Sequence, residues 1–300
     1  MRGPVLKHNY KLFIILTALM AVPLSVWTVE SADLLIIGDT KLKPVSDLIA
    51  GIEEDLSYSA TVRSPADVKD NFEGIIQSEG AKAVVALGQD AVNVSLSLPE
   101  SIPVIYGLII NPPETSRRNM TGVYMATPVS EYISFINKYF PAIKRIGIIC
   151  EPRTRDLVCQ GAVPANAVFY YATNPYEFIS AVSGMRNNVD ALLLLPEKNL
   201  LSQTALEKAY LYSFRDNIPV IGISEKYVKT GSLFSLGFDA ADMERQLANL
   251  IVKVLTRGKA AGMPQSAPEK FTLYINRKTA EATGVHVPPV LLNMAERVYP

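Results

Sequence analysis

The chain has 300 residues, with 29 basic and 29 acidic side chains, 49% apolar residues and two cysteines. That apolar fraction excludes intrinsic disorder, and the length allows one large domain or two lobes of roughly 100–150 residues each. Zero formal net charge argues against a protein that binds nucleic acid by neutralising phosphates, and two cysteines are too few for a disulfide-built scaffold or an all-cysteine zinc site.

Arg2, Lys7 and Lys11 precede a stretch from Leu12 to Val29 without a charged side chain. A basic start, an apolar stretch and small residues near Ser31 and Ala32 read as an export signal over 1–31, cut after Ser31. The alternative is an uncleaved N-terminal anchor, because this stretch lies at the lower edge of what spans a bilayer. Either reading places the remainder outside the cytoplasm. Removing the three basic residues and Glu30 leaves 26 basic and 28 acidic groups, a mildly acidic chain.

Short apolar runs follow at Leu34–Ile37, Ala83–Leu87, Val104–Tyr106, Ile146–Ile149, Val168–Tyr171, Ala191–Leu195 and Val220–Ile223. Runs too short for helices and without strict alternation suit strands covered on both faces of a parallel sheet. Between them lie amphipathic helices. One is expected to be capped by Thr127, with Pro128 at its first position; Val129, Tyr132, Ile133, Ile136 and Phe140 line one face, and Pro141 stops it. Another starts near Asp239 and stops at Gly258. Strand and helix in alternation predict a doubly wound α/β fold.

A quasi-repeat points to two such lobes. Ala83–Leu87 leads to Ile102-Pro103-Val104-Ile105, and Ala191–Leu195 leads to Ile218-Pro219-Val220-Ile221. Two similar lobes in tandem build a cleft between them. The expected division is lobe 1 from 33–122 plus about 237–268, and lobe 2 from 123–236 plus about 269–300.

Motifs for chemistry are absent. Ile37-Gly38-Asp39-Thr40-Lys41 lacks the further glycines of a dinucleotide site, and there is no phosphate-binding G-x-x-x-x-G-K loop or G-x-S-x-G elbow. The histidines are His8, in the export segment, and His286, in a Pro-rich stretch, so neither a His-rich metal site nor a catalytic triad is expected. The chain is read as a non-enzyme without cofactor or metal. Cys150 and Cys159 flank a charged loop; they either form a disulfide or remain two thiols.

Open α/β sheets bind ligands just beyond the carboxyl ends of their strands. The candidate ligand-binding residues are those at such ends: Gly38, Asp39, Gly88, Gln89, Asp90 and Asn111 from the first lobe, and Glu151, Glu197 and Glu225 from the second. Tyr58, Tyr106 and Phe238 are aromatics able to cover an organic ligand.

Three further stretches carry a family resemblance. They are Asn119-Met120-Thr121-Gly122-Val123 with Phe140–Ile148, then Val228–Gly237, then the end section through Pro268-Glu269-Lys270-Phe271, Ile275–Ala280 and Val287–Leu292. Together they resemble the ABC-transporter substrate-binding proteins with a type I periplasmic-binding fold, the group that includes tryptophan and tyrosine binders. The resemblance implies an extracytoplasmic, monomeric protein of two hinged lobes. It would close on a small, amino-acid-like organic ligand and deliver it to an ABC permease in the inner membrane, with no nucleic acid involved; Arg153 and Arg155 favour a carboxylate as the alternative ligand. The other function carried forward is a degenerate binding domain acting as an envelope sensor or interaction module. Where the family usually has an acidic residue that holds the ligand's ammonium, this chain has Asn111, and the loop after Cys150 carries Arg153 and Arg155 in place of a small polar stretch.

Overall fold

A computed structural model describes residues 32–55, 57–113, 117–155 and 164–300. The expected export segment 1–31 and the partner thiol Cys159 of the expected Cys150–Cys159 pair lie outside the described residues. Among the described residues no helix is long and apolar enough to cross a membrane.

The first sheet is built from β1 (Leu34–Gly38), β2 (Ala60–Arg63), β3 (Ala83–Leu87), β4 (Val104–Gly107) and β5 (Met120–Gly122), in the order β2-β1-β3-β4-β5 and all parallel. Its connections carry α1 (Lys43–Asp55), α2 (Pro65–Val68), α3 (Phe72–Glu79) and α4 (Gln89–Ser95). Leu34, Ile36 and Val85 pack under Ile49 and Ile52 of α1, whereas Leu35, Ile37, Val84 and Ala86 face Ile76 of α3 and Val92 of α4. Burial on both faces is why these strands are uninterrupted apolar runs.

The chain then enters α5 (Val129–Tyr139). Its cap differs by one residue from the expected one. Pro128 occupies the N-cap position, and the Thr127 hydroxyl instead donates to the Leu236 carbonyl, 2.7 Å away. A tertiary acceptor thus takes the hydroxyl that local geometry would have turned toward the helix.

The second sheet holds β6 (Ile146–Cys150), β7 (Ala167–Tyr171), β8 (Ala191–Leu193) and β9 (Val220–Ile221), again parallel, in the order β7-β6-β8-β9. α6 (Pro175–Ser183) and α7 (Gln203–Asp216) cover one face, with Phe178, Val182, Ala205 and Ala209 on Ile149, Leu192 and Leu194. On the other face Tyr132, Ile133 and Ile136 of α5 meet Ile146, Ile148 and Leu193. The quasi-repeat is realised atom by atom: Val84 donates its N–H to the Pro103 carbonyl and Leu192 donates to that of Pro219, both at 2.9 Å. β3–β4 and β8–β9 are therefore equivalent parallel pairs in two similar lobes.

Beyond α8 (Glu225–Thr230) the parallel pattern ends. β10 (Phe234–Phe238) pairs antiparallel with β11 (Phe271–Asn276), and β12 (Arg297–Tyr299) lies parallel to β11. Between β10 and β11 the chain makes α9 (Ala240–Arg257), capped by the Asp239 side chain at one end and by Gly258 in the left-handed conformation at the other. The buried face of α9, through Met243, Leu247 and Ile251, joins the core of the first sheet. α10 (Arg277–Thr283) and α11 (Pro289–Met294) place Ala280 and Leu291 against the core beneath α5.

Three segments therefore run between the lobes: residues 123–128, 238–239 and 264–270. Hydrogen bonds join them. Val123 forms a parallel bridge with Ser266, and Tyr124 donates to the Ser266 carbonyl. The Asp242 side chain, fully shielded from solvent, accepts from the backbone N–H groups of Glu269 (2.9 Å) and Lys270 (3.0 Å) and from Gln246 and Arg245.

Close packing at the first of these segments leaves no room at Gly122. A Cβ there would lie 2.2 Å from the Tyr106 carbonyl oxygen and 2.4 Å from its ring. Gly122→Ala is expected to destabilise the fold by about 2–3 kcal/mol, because backbone must move to relieve the overlap. A thermal melt within 1 °C of the parent would refute this.

Candidate functional site

Strand direction decides where the site lies. The first sheet hands the chain across at the carboxyl end of β5, into residues 123–128. In the second lobe the Tyr132 hydroxyl, near the start of α5, sits 3.0 Å from the carbonyl oxygen of Gly222, which follows β9, and 3.1 Å from that of Leu236 in β10. The carboxyl ends of both parallel sheets are therefore on the side of the connecting segments. That side is where an open α/β sheet takes a ligand.

On the lobe 1 rim, Gly38 is buried at the end of β1, where a Cβ would lie 2.7 Å from Cγ1 of Val45 on α1. Asp39 forms a turn, its carboxylate accepting from the Lys41 N–H at 3.1 Å. Gly88 follows the neighbouring strand β3 with φ +91°, and nothing lies within 4 Å of where its Cβ would be. Only glycine adopts that backbone cheaply, and the open space leaves the main chain accessible. Gln89 is exposed and donates to Asn93 (3.0 Å); Asp90 is exposed in the first turn of α4. Asn111 is exposed beyond β4, after Leu108 in the left-handed conformation. Two large apolar side chains on this rim, Leu42 and Ile110, are more than half exposed. The sequence reading missed both, since an apolar residue in a loop carries no spacing signal.

On the lobe 2 rim, Glu151 and Glu197 come together. Glu151 is buried, its carboxylate held by Arg153 (3.1 Å) and by the Asn199 side chain (2.9 Å). Glu197 follows β8 and is half-buried. Its burial pushes the carboxyl pKa above the ordinary glutamate value, and the neighbouring Glu151 charge adds to this; contacts with the Thr154 side chain and the Glu151 backbone oppose it. Among the described residues its Oε1 is buried without a hydrogen-bond partner. Arg155 lies over the Phe169 ring, 5.4 Å from its centroid. Asn199 and Thr154 as partners of these carboxylates were not expected; only the fold brings the loops after β6 and β8 into contact.

Glu225 is placed differently. It accepts hydrogen bonds from Tyr299 and Arg297 of β12 and pairs with Lys229 one turn along α8, partners that hold its pKa below the usual range, the Tyr299 hydroxyl most of all. The structure ties this residue to the carboxyl-terminal strand and does not join it to the Glu151–Glu197 pair. Of the aromatics, Tyr106 is fully buried and bonded to Gln265, so it is core, while Tyr58 and Phe238 pack at the edge of the lobe 1 core. Surface hollows of about 360 and 600 Å³ lie elsewhere, around Ile133, Asn137 and Asn166 and around Arg117, Arg118 and Met263. Among the described residues no cluster of His, Cys, Asp and Glu fits a metal ion.

Comparison with known proteins gives this geometry a family. A search of curated proteins returned no match. Solved structures with the same fold include a conserved domain protein from Vibrio cholerae O1 biovar El Tor (19% identity, 89% of this chain and 99% of that one, TM-score 0.59). They also include the ABC domain of Streptococcus pneumoniae in complex with L-Trp (19%, 89% and 99%, TM-score 0.56). A third is the ligand-free, open structure of a substrate binding protein with adhesive properties from Clostridium difficile (13%, 89% and 99%, TM-score 0.64). At these identities the likeness is one of fold. The family model for ABC transporter substrate binding proteins matches residues 49–299, nearly the whole described chain, and the protein belongs to that family.

Proposed function

We propose that this protein is the extracytoplasmic solute receptor of an ABC importer, holding one small organic ligand, amino-acid-like or a carboxylate, between its lobes. What supports this reading is strand direction: Gly88 and Asn111 follow strands of the first sheet and Glu151 and Glu197 follow strands of the second, and the carboxyl ends of both sheets lie toward the three connecting segments. In this reading residues 1–31 are the export signal or anchor, the receptor acts as a monomer without catalysis, and lobe 1 is completed by about 237–268 and lobe 2 by about 269–300. The exposed Leu42 and Ile110 suit the apolar body of a ligand, and a protein of the same fold is solved in complex with L-Trp. Closure of the lobes over the ligand would create the form that the permease recognises, a hinge transition about the three connections.

A thermal-shift screen against amino acids, carboxylates, nucleosides and dipeptides tests the proposal. A ligand at about a hundred times its dissociation constant stabilises the native state by about 2.7 kcal/mol. The expected result is one chemical class that raises the melting temperature, with Asn111→Ala weakening that response while leaving the ligand-free melt unchanged. A flat response to every class would reject a solute receptor. Equal affinity in Asn111→Ala would remove this residue from the site.

A further inference from the structure

The loop that carries Asn111 is strained and tightly held. Leu108 has φ +55°, and among the described residues the other non-glycine residues with positive φ are Asn187 and Asn217, a residue type that tolerates this conformation. A bulky apolar residue there is strained, and such strain persists only where the surroundings over-determine it. Here they do. The Gly107 carbonyl accepts from the Gly88 N–H (2.9 Å), Leu108 packs on the core beneath α1, and the buried Ile109 enters the core on the opposite face of the sheet. The Ile109 and Ile110 carbonyls then accept from the N–H groups of Met125 (2.8 Å) and Ala126 (2.9 Å) in the first connecting segment. One residue on, the Thr127 hydroxyl donates to the Leu236 carbonyl of β10 (2.7 Å), and α5 begins at Val129. Hydrogen bonding thus assigns this segment to lobe 1 through Ala126 and to lobe 2 from Thr127. The change of lobe falls at one junction, directly beside the last bond from the Asn111 loop.

We infer that the loop 108–111 is a lever for lobe movement: stitched to Met125 and Ala126, it carries a force on Asn111 to the 126–127 junction without absorbing it. This rests on the solute-receptor reading for what presses on Asn111, and it names the connection through which that contact acts. Leu108 and Thr127 are positioning residues at the two ends of the relay. Leu108 holds the loop to its own lobe. Thr127 fixes the first residue beyond the junction to the other lobe, which keeps the bend short and confines the change in φ and ψ to few residues, as hinges do.

The test is made on the full chain without ligand, so its failure is distinct from the flat ligand screen that would reject a receptor. Amide exchange is read residue by residue by NMR. The separation of the lobes is read by pulsed electron resonance between spin labels on non-canonical residues replacing Lys69 of lobe 1 and Lys208 of lobe 2, both exposed. Leu108→Gly is expected to speed exchange of the Met125 and Ala126 amides by about tenfold or more, while Tyr124, bonded to the Ser266 carbonyl, keeps its rate. The same variant should broaden the distribution of distances between the lobes. Thr127→Val should broaden it too and leave Met125 and Ala126 protected; Thr127→Ser, which keeps the hydroxyl, should restore the parent width. Thr279→Val removes a bond made within lobe 2, to the Gly231 carbonyl at 3.1 Å, and should lower the melting temperature without changing the width. A parent width in Leu108→Gly or Thr127→Val, a Thr127→Ser as broad as the valine variant, or equal broadening in Thr279→Val would each overturn the inference. So would unchanged exchange at Met125 and Ala126 in Leu108→Gly, or Tyr124 accelerated as much as they are, the sign of a chain loosened throughout. Should Leu108→Gly fail to fold, the Thr127 pair and the Thr279 control decide alone.

Discussion

Phe234→Ala is expected to remove about 4 kcal/mol of folding free energy, the largest loss from any single substitution considered. Phe234 is fully buried on β10, stacked on Phe140 at 5.3 Å between ring centroids and tilted against Phe135 at 5.2 Å and Tyr132 at 6.3 Å. Truncating a buried phenylalanine typically costs 3–5 kcal/mol, from lost transfer energy and from the cavity left behind. Aromatic pairs of this geometry add to the area term. The strand that bears it also carries the Leu236 carbonyl, to which Thr127 donates and near which the Tyr132 hydroxyl lies, so the side chain braces a connection as well as a core. Urea denaturation should show a lower midpoint with an unchanged slope, which marks a change of stability without a change in exposed surface. Phe234→Leu should lose much less, since a branched aliphatic side chain fills most of the space. A loss below about 1 kcal/mol for the alanine variant would mean that the cluster collapses into the gap.

Asp242→Ala follows, at about 3 kcal/mol at neutral pH. It strips one acceptor from two backbone N–H groups, Glu269 and Lys270, and from Gln246, and the site is closed to water that might replace it. Arg245 keeps its other partner, Glu269, so its charge is not orphaned. Burial alone would raise the Asp242 pKa, but the hydrogen bonds from Arg245 and Gln246 and from the Lys270 and Glu269 backbone prevail and hold it below the usual aspartate value. A lowered native pKa means that the unfolded chain takes up a proton first. The contribution is therefore complete above the unfolded-state value and is lost as pH falls through the native one. The stability gap between parent and variant should be widest near pH 7 and should shrink below about pH 4, where the unfolded carboxyl begins to protonate. Denaturation at several pH values measures this. A gap that stays constant into strong acid would show that the ionised form of Asp242 contributes nothing.

The parallel sheets were legible because their strands are buried on both faces. Ala83–Leu87 and Ile146–Ile149 have no room for a polar residue, and that leaves an apolar run. α9 was legible at both ends, since Asp239 and Gly258 are local cap signals. β2 was missed because all four of its residues keep some exposure at the sheet edge. β11 was missed because it is a strand of the third sheet, its pairing with β10 made across more than thirty residues. Thr127 shows the limit of local rules: as a cap it was one residue off, because the Leu236 carbonyl from more than a hundred residues away took its hydroxyl.

For the candidate site the division is similar. Strand ends can be counted along a chain, so Gly88, Asn111, Glu151 and Glu197 were within reach of the sequence. What each carboxylate does there was not. Glu151 and Glu197 have the same side chain and the same position relative to a strand, yet one is paired with Arg153 and Asn199 and the other has an unpartnered oxygen. Glu225, alike again, is held by Arg297 and Tyr299 from the far end of the chain. The amino-acid sequence by itself determined the alternation of strand and helix, the two similar lobes and the family, because these rest on periodicity, caps and short-range pattern. Only the tertiary structure decided which charges are neutralised, because pairing depends on distances between loops far apart along the chain, and the attraction weakens with separation and with exposure to water.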